Sequence, residues 1–275
     1  MSEDRDALGD RMKSYEAQET SRRFLPMLPI YARVDGRGFS GLTRGMERPF
    51  DPRFTAVMVE TAKALVEHTH ARIAYVQSDE ISLVWQTDSP ESSLFFDGKI
   101  MKMASVLAGL ATAAFTRALL SAGDDFASRA ARLPHFDCRV IQMPTRTEAV
   151  NMLLWRNQDA TKNAISMAAR HYYSAKALHG RSGPEMQEMI FAKGVNFNDY
   201  PPAFKRGTWV RRANVERGFT SDELARIPET HQPAPGTLVI RSEMRAFDLP
   251  KLSSVVNREA VVFDAADPIK ALADA

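Results

Sequence analysis

Asp79 and Glu80 stand side by side in the stretch Val76-Gln77-Ser78-Asp79-Glu80-Ile81-Ser82, a tight polar turn where two β-rich apolar runs meet, flanked by Ile73-Ala74-Tyr75 and Leu83-Val84-Trp85. The pattern predicts a β-hairpin with an acidic tip. A further carboxylate, Asp35, closes the strand candidate Ile30-Tyr31-Ala32-Arg33-Val34 and is followed by the turn Gly36-Arg37-Gly38-Phe39. If that strand lies beside the hairpin, Asp35 and Asp79 meet at one edge of a sheet. Carboxylate oxygens held so close can share divalent cations, and Mg²⁺ suits such a site because it binds through one or two carboxylates together with substrate phosphates. The plain alternative is a solvated hairpin tip. Two acidic strand ends, one leading into a Gly-rich turn, favour the metal.

The elements that must hold these groups follow from hydrophobic periodicity. Leu8, Met12 and Tyr15 fall at i, i+4 and i+7 and predict a surface helix within residues 4–23. After β-strand 30–34 and a flexible loop marked by Gly38, Gly41 and Gly45, Asp51-Pro52 reads as an N-cap with proline at the first helical position, opening a helix to about His70. The acidic hairpin comes next. A polar loop, 88–98, then leads to a helix from Lys99 to Leu120, and Phe136 to Met143 is another strand. The order β-α-β-β-α-β is the split-βαβ, ferredoxin-like arrangement of the α+β class. In it two helices cover one sheet face, and the other face is expected to stay free for the carboxylates and a substrate.

Beyond Pro144 a helix-rich stretch is expected from Thr147 to Leu178, a short helix from Pro184 to Lys193, and two strands at Thr208–Val215 and Thr237–Arg245. After Pro250 the chain reads as irregular, with a frayed end at Ala265–Ala275. Residues 1–145 are expected to form a catalytic domain with an N-terminal helix. Residues 146–275 form a helix-rich binding region with a C-terminal hairpin, packed as one unit with it.

Bulk properties bound the function. The 275 residues suffice for a large core, and 44% apolar with 25% charged content is that of a folded soluble protein. Lys+Arg of 36 against Asp+Glu of 34 gives a net charge of +2, so no gross charge imposes a nucleic-acid partner. The one cysteine, Cys138, excludes an intrachain disulfide and a thiolate zinc cluster and fits a reducing cytosol. The charged N-terminus is no secretory signal, and the longest uncharged stretch, Met103–Thr116, is too short to span a bilayer. A cytoplasmic protein with no membrane partner is expected. The six histidines show no ligand spacing.

Four motifs resemble those of the tRNA-His guanylyltransferase superfamily, and they occur in its order over residues 30–212. They are Val34-Asp35-Gly36-Arg37-Gly38-Phe39, Gln77-Ser78-Asp79-Glu80-Ile81-Ser82, Trp155-Arg156 with Asp159, and Asn198-Asp199 with Pro201 followed by Lys205-Arg206-Gly207-Thr208. The resemblance implies a palm domain like that of template-directed polymerases, running nucleotide addition 3′-to-5′ on RNA 5′ ends. It implies tRNA and nucleoside triphosphates (GTP, ATP and others) as partners, two Mg²⁺ ions and a homotetramer. Where the branch specific for tRNA-His carries His-Ile-Asn-Asn-Leu-Tyr-Asn, this chain has Thr161-Lys162-Asn163-Ala164-Ile165-Ser166-Met167. That departure favours the guanylyltransferase-like branch, which restores truncated tRNA 5′ ends by copying the opposing strand. A guanylyltransferase adding G at position −1, a palm-type nucleotide cyclase and an RNA-binding module with a dead palm are the alternatives.

Phosphoryl transfer is mostly positioning and charge neutralisation. Asp35 is the candidate to bridge both metals, with the Gly36 carbonyl as a backbone ligand, Asp79 as the second carboxylate and Glu80 as an auxiliary one. Arg37, Gly38, Phe39 and Ser40 can offer backbone amides, and Ser78 a hydroxyl, to the triphosphate. Lys102, near a helix start, matches a lysine the family uses. The family pattern places Arg156, Asp159, Lys162 and Asn163 near the nucleotide or the tRNA end. Asn198, Lys205 and Arg206 are candidates to grip RNA backbone.

Overall fold

The computed structural model describes residues 3–271. Its first helix, α1 (Glu3–Thr20), occupies the expected segment, but Leu8, Met12 and Tyr15 stay exposed rather than packing on the body. The chain then enters β1 (Ile30–Gly36) and makes one helical turn, α2 (Phe39–Leu42). In α3 (Pro52–Thr69) the cap is as read: the Asp51 carboxylate accepts the Arg53 amide at 3.0 Å, and Pro52 sits where no amide is needed. The acidic hairpin consists of β2 (Ile73–Gln77) and β3 (Glu80–Trp85), joined by the two residues Ser78 and Asp79, with Ser78 at φ 47°. Then come α4 (Ile100–Leu120), the single turn α5 (Asp124–Ala127) and β4 (Phe136–Gln142).

These strands form the order β4-β1-β3-β2, every pair antiparallel, which is the ferredoxin-like sheet expected from the β-α-β-β-α-β order. Helices α3 and α4 cover one face. Ala32, Val34, Ile81 and Leu83 from the strands meet Met58 and Leu65 from α3 and Leu107 and Phe115 from α4, all fully buried. By length and composition α4 would suffice to cross a membrane. Its stripe Met103, Leu107, Ala111, Phe115 and Leu119 is instead spent on the sheet, at 0% exposure.

The opposite face is not free, which corrects the expectation drawn from the ferredoxin-like order. The long helix α6 (Arg146–Tyr172) lies across it, and the chain after residue 249 completes the cover. Tyr31, Ile73, Tyr75 and Val84 point to this side and are fully buried against Ala149, Val150 and Leu153 of α6. The physical reason lies in the strands themselves. Every residue of β2 and β3 is buried, and strands apolar on both faces demand two covering layers. The site therefore opens at one end of the sheet rather than on an open face.

Beyond α6 come α7 (Ala175–Leu178), α8 (Gly183–Phe191) and α9 (Pro202–Arg206), which build a small separate core with the second half of α6. The chain then returns to the palm. Strand β5 (Thr208–Gly218) pairs with β2 over Thr208–Val210. After α10 (Ser221–Ala225), β6 (Leu238–Phe247) pairs with β5 from Trp209 to Gly218, so the sheet has six strands in the order β4-β1-β3-β2-β5-β6. Both strands run longer than their alternation suggested, and from Arg211 outward the hairpin projects as a two-stranded ribbon. Gly207 makes the junction possible. At φ 76° it passes so close to β2 that a Cβ would lie 2.4 Å from the Val76 carbonyl oxygen.

The stretch after Pro250, read as irregular, holds α11 (Arg258–Phe263), whose Val261, Val262 and Phe263 close the second core. Of the expected frayed end, Ile269 and Ala271 are tied to residues 254–256 by backbone hydrogen bonds of 2.8–2.9 Å. The last four positions lie outside the described residues.

Candidate active site

Antiparallel pairing of β1 with β3 sets Asp35 opposite Glu80. One residue on, the Gly36 amide donates to the Asp79 carbonyl at 2.9 Å, which stitches the end of β1 to the hairpin turn. The two acidic strand ends therefore converge through backbone geometry alone. Gly36 is required there because a Cβ would lie 2.7 Å from the ring of Phe39, which folds back beneath it. That ring is committed to the core, in contact with Phe54, Phe115 and Phe136, so Phe39 can offer a ligand only its backbone.

The carboxylates face a cleft of about 530 Å³. Asp35, Ser78, Asp79 and Glu80 form its floor, the segment Thr43–Asp51 forms one rim, and Asn163, Met167 and Arg170 of α6 form the opposite wall. Phe204 of α9 closes one side, stacked on Phe50 with ring centroids 4.8 Å apart.

Charge on the floor is uncompensated in part. Burial pushes the Asp79 carboxyl up to about 6, with the Asp35 and Glu80 charges adding to the rise against hydrogen bonds that lower it. The Asp35 carboxyl is raised by burial and by Glu80. Among the described residues neither has an ion-pair partner. Glu80 differs. Arg156 Nε donates to its Oε1 at 2.7 Å and Arg156 Nη2 to its Oε2 at 2.6 Å, while Arg33 Nε stands 3.9 Å from Oε2. Arg156 also reaches Asp159 at 3.2 Å, and Asn163 donates to Asp159 at 3.3 Å. The α6 residues thus form a chain leading to Glu80.

Asp35 and Asp79 fit a divalent cation: both are hard oxygen donors, crowded, and without a cationic partner. No cluster of three acidic, histidine or cysteine side chains forms a full cage among the described residues. The remaining ligands would have to come from the Gly36 carbonyl, from substrate phosphates or from water. Glu80, with both oxygens engaged by Arg156, is the least able of the three to serve.

The family model described as tRNAHis guanylyltransferase matches residues 9–144. The tRNA(His) guanylyltransferase of Schizosaccharomyces pombe is 29% identical over 215 residues, covering 73% of this chain and 78% of that protein. A bacterial tRNA(His) guanylyltransferase-like protein solved in complex with ATP is 30% identical, with a TM-score of 0.75 over 93% of this chain and 99% of its own. The chain belongs to the tRNAHis guanylyltransferase family. A second bacterial guanylyltransferase-like structure, in complex with GTP, is 28% identical with a TM-score of 0.69 over 90% of this chain and 94% of its own. At the level the family sets, the protein is a nucleotidyltransferase that adds nucleotides 3′-to-5′ to tRNA.

Not every residue picked out by the guanylyltransferase resemblance reaches the cleft. Arg37, Gly38 and Ser40 are exposed at the turn beyond Asp35. Lys102 lies elsewhere. Its helix begins beside Phe24 and runs along the sheet so that Thr112, not Lys102, meets Phe136, the residue paired with Gly36. Ten residues of helix, about 15 Å, separate the two positions, and the Lys102 ammonium sits 5.9 Å over the Phe96 ring. A helix start close in sequence to the hairpin is not close to its tip, because the chain first doubles back over the length of β3. Lys162 is exposed and outside the cleft lining. Lys205 donates to the Asn198 carbonyl, and the Arg206 carbonyl accepts from the Tyr75 hydroxyl at 2.7 Å and from Asn157 at 2.9 Å, so this segment is tied to the palm through its backbone.

Motif reasoning missed Arg170, Phe50 and Asn157. Counted from Arg156, the residues Asn163, Met167 and Arg170 stand at i+7, i+11 and i+14, a helical stripe legible in the spacing. Phe50 carried no such signal. Asn157, buried beside Arg156, also accepts the Leu252 amide at 3.2 Å and so links α6 to the closing segment.

Proposed function

We propose that the chain restores 5′-truncated tRNA, adding at the 5′ end the nucleotide that pairs with the opposing base. The observation that supports templating is the α6 wall of the cleft. In the stretch Thr161–Met167 only Asn163, Ala164, Ser166 and Met167 line it, and just two of these are polar, a sparse set that leaves the choice of base to pairing with the template strand. A mispair misplaces the attacking hydroxyl, and small misplacements are costly in reactions that run on positioning.

In this reading the 3′-hydroxyl of the incoming nucleoside triphosphate forms the new bond to the 5′ phosphorus of the RNA. Pyrophosphate leaves from a triphosphate end, or AMP from an end first adenylylated by ATP. Asp35, the Gly36 carbonyl and Asp79 would hold two Mg²⁺ ions. Bound there, the ions would supply charge neutralisation at the transferring phosphate. The amides of Gly38, Phe39 and Ser40, at the turn just beyond the cleft floor, and the Ser78 hydroxyl would hold the triphosphate, whereas the Arg37 amide is spent on the His135 carbonyl at 3.0 Å. Glu80, gripped by Arg156, orients the hairpin tip and connects it to α6 rather than ligating metal. The proposal extends to a homotetramer, for which the exposed stripe of α1 and the projecting ribbon offer contact surfaces, and to a cytoplasmic setting, in keeping with the free Cys138.

A second reading is addition of G at position −1 of tRNA-His. It is favoured by the name of curated relatives such as that of Schizosaccharomyces pombe at 29% identity. A set of tRNAs lacking the first nucleotide and differing only in the base opposite it, assayed with all four triphosphates and Mg²⁺, separates the two. Incorporation of the complementary base in each case supports repair. Addition of G whatever the opposing base would replace repair with the second reading.

A further inference from the structure

The rim of the cleft is gripped from behind by an arginine whose environment is unusual. Arg129, in the turn after α5, is 9% exposed, yet no carboxylate lies within hydrogen-bonding distance; Asp125 Oδ1 is 3.9 Å away. Its Nη1 donates instead to two main-chain carbonyls, those of Leu42 at 2.6 Å and Arg44 at 3.0 Å, and its Nε is buried without a partner among the described residues. Arg132 Nη1 donates to the neighbouring Gly41 carbonyl at 2.6 Å. Burying a guanidinium without a carboxylate is costly. Here that charge is directed at the carbonyls of a single loop.

The far end of the same loop is tied to the same segment. Arg53 grips Asp51 at 2.8 and 3.1 Å and reaches Asp125 at 3.6 Å. Between the two arginines lies the fully buried ring of Phe126, with Arg53 4.5 Å and Arg129 5.8 Å from its centroid. Both ends of the span 41–51 are therefore fastened to residues 124–132, and what lies between includes Thr43, Glu47 and Asp51 of the cleft rim.

We propose that residues 124–132 are a clasp that sets the position of the cleft rim, with Arg129 as the positioning residue that adjusts affinity for the incoming nucleoside triphosphate. The clasp stands on the contacts above; only the identity of its ligand rests on the nucleotide-transfer reading. Arg129 does not line the cleft and is not among the charges acting on Asp35 or Asp79, so loosening it should alter binding more than chemistry. A lysine cannot replace it, because a point charge on a flexible stem does not bridge two carbonyls while lying on an aromatic ring.

The test compares Arg129→Lys and Arg129→Met with the full-length wild-type chain and with Val261→Ala, a core change on the opposite sheet face. Hydrogen exchange is read at the amides of residues 41–47, and KM for GTP and kcat are read on a 5′-truncated tRNA with Mg²⁺. The expected result is faster exchange confined to 41–47, a rise in KM on the order of tenfold, the scale of one lost charged hydrogen bond, and little change in kcat. Val261→Ala should lower the melting temperature without moving KM. Unchanged exchange at 41–47, or a KM shift no larger than that of Val261→Ala, overturns the clasp. Wild-type protein that neither binds GTP nor extends tRNA would overturn the proposed function instead, and the exchange measurement would still decide the clasp. Should Arg129→Met fail to fold, Arg129→Lys carries the same comparison.

Discussion

Arg156 of α6 and Glu80 of the hairpin tip form a two-pronged ion pair, 2.7 and 2.6 Å long, at the junction between the helix-rich region and the palm. Both side chains are about nine-tenths buried. Burial alone would lower the arginine's pKa, but its bonds to Glu80 raise it. Removing one partner leaves the other charge buried and uncompensated, which typically costs about 3–5 kcal/mol, whereas removing both is far milder. Arg156→Met and Glu80→Gln are therefore each expected to lower stability in urea titrations by several times the loss seen in the double variant. Additive losses would show that the pair does not act as a unit.

Asp35 and Asp79 carry the opposite expectation, since among the described residues neither forms an ion pair that its loss would break. Asp35→Ala and Asp79→Ala should each abolish nucleotide addition while leaving the melting temperature within a few degrees of wild type or above it. Turnover near the wild-type rate in either variant would remove the two-metal assignment.

The raised Asp79 carboxyl also sets a pH dependence. A carboxyl whose folded pKa lies above its unfolded value binds its proton more tightly in the native state. Its stabilising contribution is present at low pH and is lost as pH climbs from the ordinary value of 3.8 through about 6. In chelator-treated protein, Asp79→Asn should be more stable than wild type at pH 8 and equal to it near pH 4. Mg²⁺ should raise the wild-type melting temperature more at pH 8 than at pH 5. Parallel stability curves for the two proteins would refute the raised Asp79 carboxyl, whose main cause is burial.

Gly207 should be irreplaceable. A Cβ there meets a main-chain carbonyl of β2, an atom that cannot swing aside, and the backbone is left-handed as well. Gly207→Ala is expected to cost at least the roughly 1–3 kcal/mol of an overpacked core and to release β5 from β2. Gly218→Ala, on the same strand with open space around it, serves as the control in thermal melts. Equal melting temperatures for the two would mean that the junction yields.

Much of the palm was legible before any coordinates. Asp51-Pro52 announced the start of α3, the Ser78-Asp79 turn announced the hairpin, and the spacing from Met103 to Phe115 announced α4. These are local signals: caps, turns and periods depend on residues a few positions apart. The motif residues Asp35, Asp79 and Glu80 were legible for the same reason, and the pairing of β1 with β3 then brings them together.

The residues by themselves determined which elements form and which carboxylates sit at strand ends. Only the tertiary structure decided what covers the second face, which acidic side chain keeps its charge free, and how far Lys102 lies from the tip. Each of these turns on partners distant in the chain. Glu80 looks like its neighbour Asp79 until Arg156, 76 residues later, arrives on α6 and takes both its oxygens. Tyr31 and Tyr75 look like strand residues with an open side until α6 and α11 close over them. Periodicity records that a surface must be buried, but not by what, because burial energy is non-directional. The partner is chosen by topology.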